Sequence, residues 1–247
     1  MEKRIIGFST GTFFKFLDPI TEELIRFVFN LNCEALEISW RYKKLWPKKN
    51  SSRIINENQT IQNTTLHLPV DIHYANDNFW SEEILRRAYR LFISYNSFNY
   101  AVIHPDLVID WNDFYQRFNK DFSLPLAIEN MGSHKSNFRD TISLLKFFEK
   151  YPAIKLIFDT NHWIASDHSI TSIPQALETF ITNGIQLSGI HLGGIHREPL
   201  FKSSSSVEII QSLRNLSPDI PIIIESIFEK PNEPAIELAF VRKYLEA

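Results

Sequence analysis

Most of the short apolar runs in this sequence end at or next to a residue that can bind a metal ion. In chain order these residues are Glu37, His67, His104, Glu129, Asp159, His191 and Glu225. Further candidates lie a few positions beyond two of these runs: His162, His196 and Glu198. Imidazole and carboxylate ligands together suit Zn²⁺, Mn²⁺, Fe²⁺ or Co²⁺. The pattern therefore predicts a divalent-metal enzyme.

Each of these residues also has a purely structural interpretation. A histidine after a strand is commonly a hydrogen-bonded core residue, and a glutamate there is commonly an ion-pair partner or a helix cap. Because so many ligand types recur at the same position of successive runs, metal binding is favoured. His73, His134 and His168 lie in predicted loops and are interpreted as residues without a ligand role.

The apolar runs themselves are typical of buried parallel strands. They read RIIGFS, EALEIS, TTLH, YAVIH, LAIE, KLIFD, LSGIH and PIIIE, and they are apolar almost throughout rather than alternating. Segments of helical period separate most of them. One is DPITEELIRFVFNLN, for which Asp18 is the expected N-cap and Pro19 the first helical residue. Others are SEEILRRAYRLFISYN, WNDFYQRFNKDF and EPAIELAFVRKYLEA, and a more polar helix is expected around residues 52–62.

Strand and helix repeated eight times predict an α/β fold, a single (β/α)8 TIM barrel over residues 1–247. The active site is then expected at the C-terminal ends of the strands, where residues distant in sequence converge. An open, doubly wound sheet would need a glycine-rich phosphate turn after the first strand. The sequence GFSTGTFF does not contain that fingerprint.

Composition limits the functional classes. The net charge of −3 does not favour a nucleic-acid partner. The single cysteine, Cys33, excludes a cysteine-rich structural zinc site and suits a reducing compartment. The N-terminal segment MEKRIIGFSTGTFF resembles neither a signal peptide nor a membrane span. We expect a cytoplasmic protein without a membrane partner.

The strand-end motifs HLP, IHP, AIEN, FDTNH, IHL and IES resemble, in order and spacing, those of endonuclease IV. Endonuclease IV belongs to the xylose isomerase-like TIM barrels, which also include sugar-phosphate isomerases and epimerases. As strand order, the resemblance covers essentially the whole chain. It implies one metal held by His67, His104 and Glu129. Glu129 would bridge to a second metal, held also by Asp159, His191 and Glu225.

The resemblance implies a third ion at His162, but it departs from the family at strand seven. Endonuclease IV has an Asp-x-His pair there, whereas this chain has His196-Arg197-Glu198. His196 and Glu198 are ligand-capable types in the opposite order, and with His162 they would hold the third ion. Arg197 is then expected to bind a phosphate oxygen of the substrate, with a surface salt bridge as the alternative.

The epimerase members of the superfamily imply a different use of the same residues. A single metal would be held by Glu129, Asp159, His191 and Glu225, and the two glutamates would also move protons. These members have no use for a histidine pair on strands three and four, so His67 and His104 favour the multinuclear, hydrolase-like site. Glu37 has no place in either metal scheme and is expected to line the pocket or bind substrate.

The sequence therefore predicts a metal-dependent phosphoester hydrolase that acts on a small phosphorylated or phosphodiester metabolite. A hydroxide bridging two or three divalent ions would attack phosphorus. HLPVD and ESIFE also resemble the cobamide-remodelling phosphodiesterases of the superfamily. The alternative is a sugar or sugar-phosphate isomerase or epimerase with one ion, in which Glu129 and Glu225 are catalytic. DNA repair and a non-catalytic metal-binding barrel are further alternatives, and the substrate, the metal and the oligomeric state stay open.

Overall fold

The computed structural model describes residues 3–17, 21–39, 61–74 and 98–246. Eight parallel strands form a closed barrel in chain order, β1 to β8. Their bounds are Ile6–Ser9, Ala35–Ser39, Asn63–His67, Tyr100–Ile103, Leu126–Glu129, Lys155–Asp159, Leu187–Leu192 and Ile222–Ile224. Pairing of β1 with β8 closes the barrel, with Ile6 opposite Ile222. This confirms the predicted (β/α)8 architecture.

Helices of the described residues lie between and after these strands. We label them α1 to α7, with bounds Glu22–Asn30, Trp111–Asp121, Thr141–Lys150, Thr160–Ala165, Ile173–Thr182, Ser206–Gln211 and Glu233–Glu246. The predicted helices at residues 52–62 and 81–96 lie wholly or largely outside the described residues. Within the described part of the chain, no helix combines the length and the apolar character that a membrane crossing requires.

Two helix starts differ from the sequence prediction. Helix α1 begins at Glu22 with Thr21 as its N-cap, because the Thr21 side chain accepts a hydrogen bond from the Leu24 amide at 3.2 Å. Asp18 and Pro19, at which the sequence placed the helix start, lie outside the described residues. The short helix α4 was not predicted. It follows β6 directly, and the carboxylate of Asp159 caps it by accepting from the His162 amide at 2.8 Å.

Side chains alternate between the two faces of each strand, and this alternation decides which residues reach the site. Outward-facing residues such as Leu36, Ile38 and Phe158 join the large core between the strands and the helices. A separate small cluster, including Tyr100 and Val102, fills the barrel interior. A residue two positions further along the same strand faces the same side. The residues that follow this inner cluster by two positions therefore also point inward, at the C-terminal rim.

The Tyr100 ring crosses the interior, and its hydroxyl donates to the Ser188 carbonyl at 2.9 Å. Gly189 leaves room for it, since a Cβ there would lie 2.8 Å from the Tyr100 hydroxyl. This packed layer lies in the barrel interior directly below the C-terminal ends of the strands.

Candidate metal centre

Glu129 lies at the middle of the buried ring and contacts several imidazoles. Its Oε1 is 3.1 Å from His67 Nε2 and 2.6 Å from His191 Nδ1. Its Oε2 is 3.1 Å from His104 Nε2. Glu129 has no exposed surface. Strands β3, β4, β5 and β7 thus converge on one carboxylate, as the sequence predicts for these four residues.

Asp159 and His162 extend the ring on the β6 side. His162 Nδ1 lies 3.6 Å from Asp159 Oδ2 and 3.8 Å from Glu129 Oε2. Both side chains are buried. The first turn of α4 brings His162 here, because the helix starts directly after its N-cap Asp159 and His162 is its third residue.

Glu225 completes the ring just after β8. Its Oε1 lies 3.6 Å from His191 Nδ1, and its Oε2 lies 3.2 Å from the Arg197 guanidinium. Glu129 and Glu225 therefore face the same nitrogen of His191. Two carboxylates directed at one imidazole nitrogen form a natural position for a cation.

The structure does not bring His196 and Glu198 into this ring. Both residues are exposed. Among the described residues, the sets of ligand atoms close enough to share an ion are His67, His104 and Glu129; Glu37, His191 and Glu225; and Glu129, Asp159 and His191. His196 and Glu198 belong to none of these sets, so their placement gives no support to a third ion held by them together with His162.

Arg197 enters the site instead, because of an unusual backbone conformation. His196 and Arg197 have φ angles of 58° and 59°, in the left-handed region that side chains disfavour. Such residues cost about 1–3 kcal/mol each and cluster at functional sites. The turn is held by the Arg197 amide, which donates to the Gly194 carbonyl at 2.9 Å, and by the Arg197 carbonyl, which accepts from the Ile227 amide at 2.8 Å.

Glu37 contacts the other ring nitrogen of His191 from the one that Glu129 and Glu225 face. Its Oε2 is 3.0 Å from His191 Nε2, and the side chain is fully buried. One Glu37 oxygen also lies within 4.8 Å of a Glu225 oxygen, and the expected role of Glu37 in lining the pocket or binding substrate stays a prediction.

Asn130 is a site residue that sequence reasoning missed. The side-chain amide of Asn130 donates to the backbone carbonyl of Asp159 at 2.9 Å and accepts from the backbone N–H of Asp159 at 2.7 Å. These two hydrogen bonds fix the end of β6. The backbone carbonyl of Asn130 accepts from His162 Nδ1 at 2.9 Å. The signal in the sequence is the Asn that directly follows the ligand in AIEN.

The remaining predicted loop histidines lie outside the ligand sets. His168 stacks on Trp163 with ring centroids 4.0 Å apart, and its Nε2 donates to the Arg139 carbonyl at 3.0 Å. His134 lies next to Gly132. Asp106, on the loop after β4, pairs with Lys135 at 2.6 Å.

The hydrogen bonds of the imidazoles fit a role as metal ligands. His67 Nδ1 donates to the Leu68 carbonyl at 2.8 Å, and His162 Nδ1 donates to the Asn130 carbonyl. With one nitrogen committed to a protein acceptor, the other nitrogen of His67 faces the carboxylates. This arrangement, with the second nitrogen bound to an acceptor, is the usual one for metal-binding histidines.

Buried ligand atoms without a hydrogen bond support the same conclusion. Within the described part of the chain, Glu129 Oε2, Asp159 Oδ2 and His191 Nδ1 are buried and have no aligned hydrogen-bond partner. Buried polar atoms are rarely left so, and a bound cation would satisfy all three. The donor set of imidazole nitrogens and carboxylate oxygens therefore fits a divalent metal ion.

The electrostatics of the ring favour a cation as well. Burial alone would raise the pKa of Glu129, but the neighbouring imidazoles, first among them His191, outweigh burial and hold that pKa well below its usual range. Burial would lower the pKa of His67, yet the Glu129 carboxylate outweighs it and raises the pKa to about 9. Burial raises the pKa of Asp159 despite the nearby His162. Without a metal, protonated imidazoles thus supply the positive charge that the carboxylates need.

Comparisons with known proteins agree with this fold. The sequence matches no protein-family model and no curated protein. A D-allulose 3-epimerase structure from Methylomonas sp. matches with a TM-score of 0.69 at 14% identity, covering 98% of this chain and 99% of that chain. An L-ribulose 3-epimerase structure matches with a TM-score of 0.68 at 13% identity over 99% and 95% of the two chains. A sugar phosphate isomerase/epimerase from Parabacteroides distasonis matches with a TM-score of 0.61 at 11% identity over 99% and 95%.

At these identities the similarity establishes the fold. The chain shares its (β/α)8 barrel fold with these proteins. The three solved structures named above are two sugar 3-epimerases and one sugar phosphate isomerase/epimerase.

Proposed function

We propose that the protein is a metal-dependent isomerase or epimerase of a small sugar, a sugar phosphate or a related hydroxy-carbonyl compound. One observation carries the proposal: Glu129 and Glu225, two buried carboxylates, face the same nitrogen of His191. The chemistry needs this arrangement, because one carboxylate must accept a carbon-bound proton while a second donates one. The fold shared with several sugar epimerases supports it.

Glu129, Asp159, His191 and Glu225 would hold one divalent ion, of zinc, manganese, iron or cobalt. When bound, the ion supplies Lewis-acid polarisation of the substrate carbonyl. The pKa of each glutamate is lowered in the free site, so both are ionised there and one of them takes up a proton from solvent before the reaction. One accepts the proton from the carbon next to the carbonyl, and the other returns its own proton to the substrate.

Arg197 and His162 would act on the substrate beside this pair. Burial alone would raise the pKa of Glu225, but the Arg197 guanidinium and His191 outweigh it and lower the pKa, which keeps Glu225 ionised as a proton acceptor. His162 has its Nδ1 bound to the Asn130 carbonyl, so its Nε2 is free to accept from a substrate hydroxyl. Arg197 offers its remaining N–H groups to substrate oxygens, including those of a phosphate.

The test is solvent deuterium incorporation. Ketoses and their phosphates, incubated in D₂O with the protein and Mn²⁺, Co²⁺ or Zn²⁺, should gain deuterium at a carbon next to the carbonyl, as followed by proton NMR. Glu225→Gln should abolish the exchange, while Glu229→Gln should not, because Glu229 is an exposed glutamate that pairs with Lys15 on the surface. Absence of exchange with every sugar and metal would refute the proposal.

A phosphoester hydrolase is the second candidate, and one observation favours it. His67 and His104 contact different oxygens of Glu129. Together with Glu129 they form a second set of ligand atoms, so Glu129 is suited to bridge two ions, as binuclear hydrolases require. The substrate would then be a small phosphorylated or phosphodiester metabolite.

Metal content separates the candidates. His67→Ala combined with His104→Ala should leave one metal ion per chain and retain deuterium exchange if the protein is an isomerase. If the protein is a hydrolase, the wild type should hold at least two ions and cleave a phosphoester, and the double variant should lose both the second ion and the cleavage. Elemental analysis after purification without chelator measures the stoichiometry.

A further inference from the structure

The second strand carries a carboxylate that neither the isomerase nor the hydrolase metal scheme uses, although one of its oxygens lies within 4.8 Å of ligand atoms of His191 and Glu225. Glu37 lies in the middle of β2 and points into the barrel, where it is fully buried. Its Oε2 contacts His191 Nε2 at 3.0 Å and also accepts from the Thr65 hydroxyl, on the neighbouring strand, at 3.3 Å. Thr65 is the direct partner of Glu37 in the β2–β3 pairing, so the backbone fixes this contact.

The contact decides which nitrogen of His191 is free. An ionised carboxylate only accepts hydrogen bonds, so the Nε2 of His191 must carry a hydrogen that it donates to Glu37. The lone pair of the neutral ring is then on Nδ1, the nitrogen that faces Glu129 and Glu225. A ring without this acceptor is free to rotate or to present the other nitrogen.

We propose that Glu37 is a positioning residue, which fixes the tautomer and the ring orientation of His191 so that Nδ1 binds the metal. The inference rests on the metal site that both candidate functions share, and it gives Glu37 a role at the centre without contact to substrate. Carboxylates placed in this way behind a metal-binding histidine commonly change metal affinity about 10- to 100-fold when they are removed.

The variants separate the acceptor from the charge. Glu37→Gln keeps the size and one acceptor oxygen but removes the charge, and we expect the Kd for Zn²⁺ or Co²⁺ to rise about tenfold. Glu37→Ala removes the acceptor, and we expect a rise towards 100-fold. Thr65→Val removes only the hydroxyl that steadies Glu37, and a rise of less than about tenfold is expected.

Glu34 supplies a matched control from the same part of the chain. It is a buried glutamate that directly precedes β2, and it accepts from Arg242 at 2.7 Å and from Lys3 at 2.6 Å. It lies at the opposite end of the strand from the metal centre. Glu34→Gln should therefore lower the melting temperature of the metal-free protein without changing the Kd for the metal.

A spectroscopic measurement distinguishes positioning from a general structural effect. In protein labelled with ¹⁵N-histidine and loaded with ¹¹³Cd²⁺, Nδ1 of His191 should couple to the cadmium. The Nε2 proton should resonate far downfield and exchange slowly with water. In Glu37→Gln the coupling should remain while the proton moves upfield, and in Glu37→Ala the proton should exchange rapidly or the coupling should move to Nε2.

Three outcomes would overturn the inference. Cadmium coupling to Nε2 of His191 in the wild type would make Glu37 a neighbouring ligand rather than a positioning residue. Unchanged metal affinity in both the Glu37→Gln and the Glu37→Ala variants, with a normal melting curve, would show that His191 needs no orientation. A wild-type protein that binds no divalent ion would remove the proposed function together with the inference. If Glu37→Ala does not fold, the Glu37→Gln and Thr65→Val variants still decide the question.

Discussion

Replacement of Asn130 by alanine should destabilise the protein far more than the loss of one buried side chain suggests. The Asn130 amide makes two hydrogen bonds to the backbone of Asp159, at 2.9 and 2.7 Å, and it has no exposed surface. Alanine leaves the Asp159 amide and carbonyl without these partners at a buried position. Each buried group left unsatisfied costs about 1–3 kcal/mol, which gives a loss of about 4 kcal/mol for the pair.

For a chain of this length, 1 kcal/mol corresponds to a shift of about 2–4 °C in the melting temperature, so a fall of about 8–16 °C is expected. Circular dichroism of the metal-free protein measures it, because bound metal would mask the effect by mass action. Asn112→Ala is the matched control. That exposed residue accepts one hydrogen bond from the Tyr151 hydroxyl at 2.7 Å, and its loss should cost about 1 kcal/mol.

The prediction also has a local component. The His162 imidazole is held by the backbone carbonyl of Asn130, which the substitution keeps. The Asn130→Ala variant should therefore lose stability while it retains the His162 contact. If its melting temperature falls no further than that of Asn112→Ala, the amide clamp on Asp159 is not a significant constraint and the reasoning fails.

Two further predictions concern individual side chains. His191→Ala should remove the ion held with Glu129, Asp159 and Glu225, whereas His196→Ala and Glu198→Ala should leave metal content unchanged, because both of those residues are exposed and outside the ligand sets. Elemental analysis measures this, and loss of an ion in either control would restore a third metal site. Cys33 should resist iodoacetamide in the native state, because it is fully buried and burial raises the pKa of its thiol to about 12. The reactive thiolate is therefore scarce up to about pH 9. Mass spectrometry follows the labelling, and labelling that precedes unfolding would contradict the prediction.

The barrel and most of the residues at its rim can be predicted from the sequence because the alternation of side chains along a strand coincides with the recurrence of polar residues at strand ends. Successive residues of a strand face opposite sides, and the polar residues recur at the inward positions of strand after strand. Glu129 and Asp159 end their strands on the same side as the interior residues Ala127 and Ile157, and this parity can be read from the sequence. The inward direction of Glu37 follows in the same way, although its contact with His191 depends on a strand on the other side of the barrel.

The features that sequence did not predict depend on tertiary contacts. His196, Arg197 and Glu198 are consecutive and all three were expected at the site, and nothing in their types indicates that only Arg197 enters it. The left-handed turn selects Arg197, and that turn is held by Gly194 and by Ile227 from the loop after β8. Similarly, α4 begins directly after a residue that sequence identifies as a strand end, because the Asp159 carboxylate serves as the helix cap.

The two candidate functions make opposite demands on Glu129. A carboxylate that relays protons must keep one oxygen free of cations, since coordination makes it a much weaker base. A carboxylate that bridges two ions has both oxygens coordinated. In this structure Oε1 faces His67 and His191, while Oε2 faces His104. Because His67 and His104 approach different oxygens, an ion held by both histidines would leave neither oxygen of Glu129 free of a cation. Occupancy of that second position therefore decides whether Glu129 can take part in proton transfer, and metal stoichiometry is informative about the reaction itself rather than only about the cofactor.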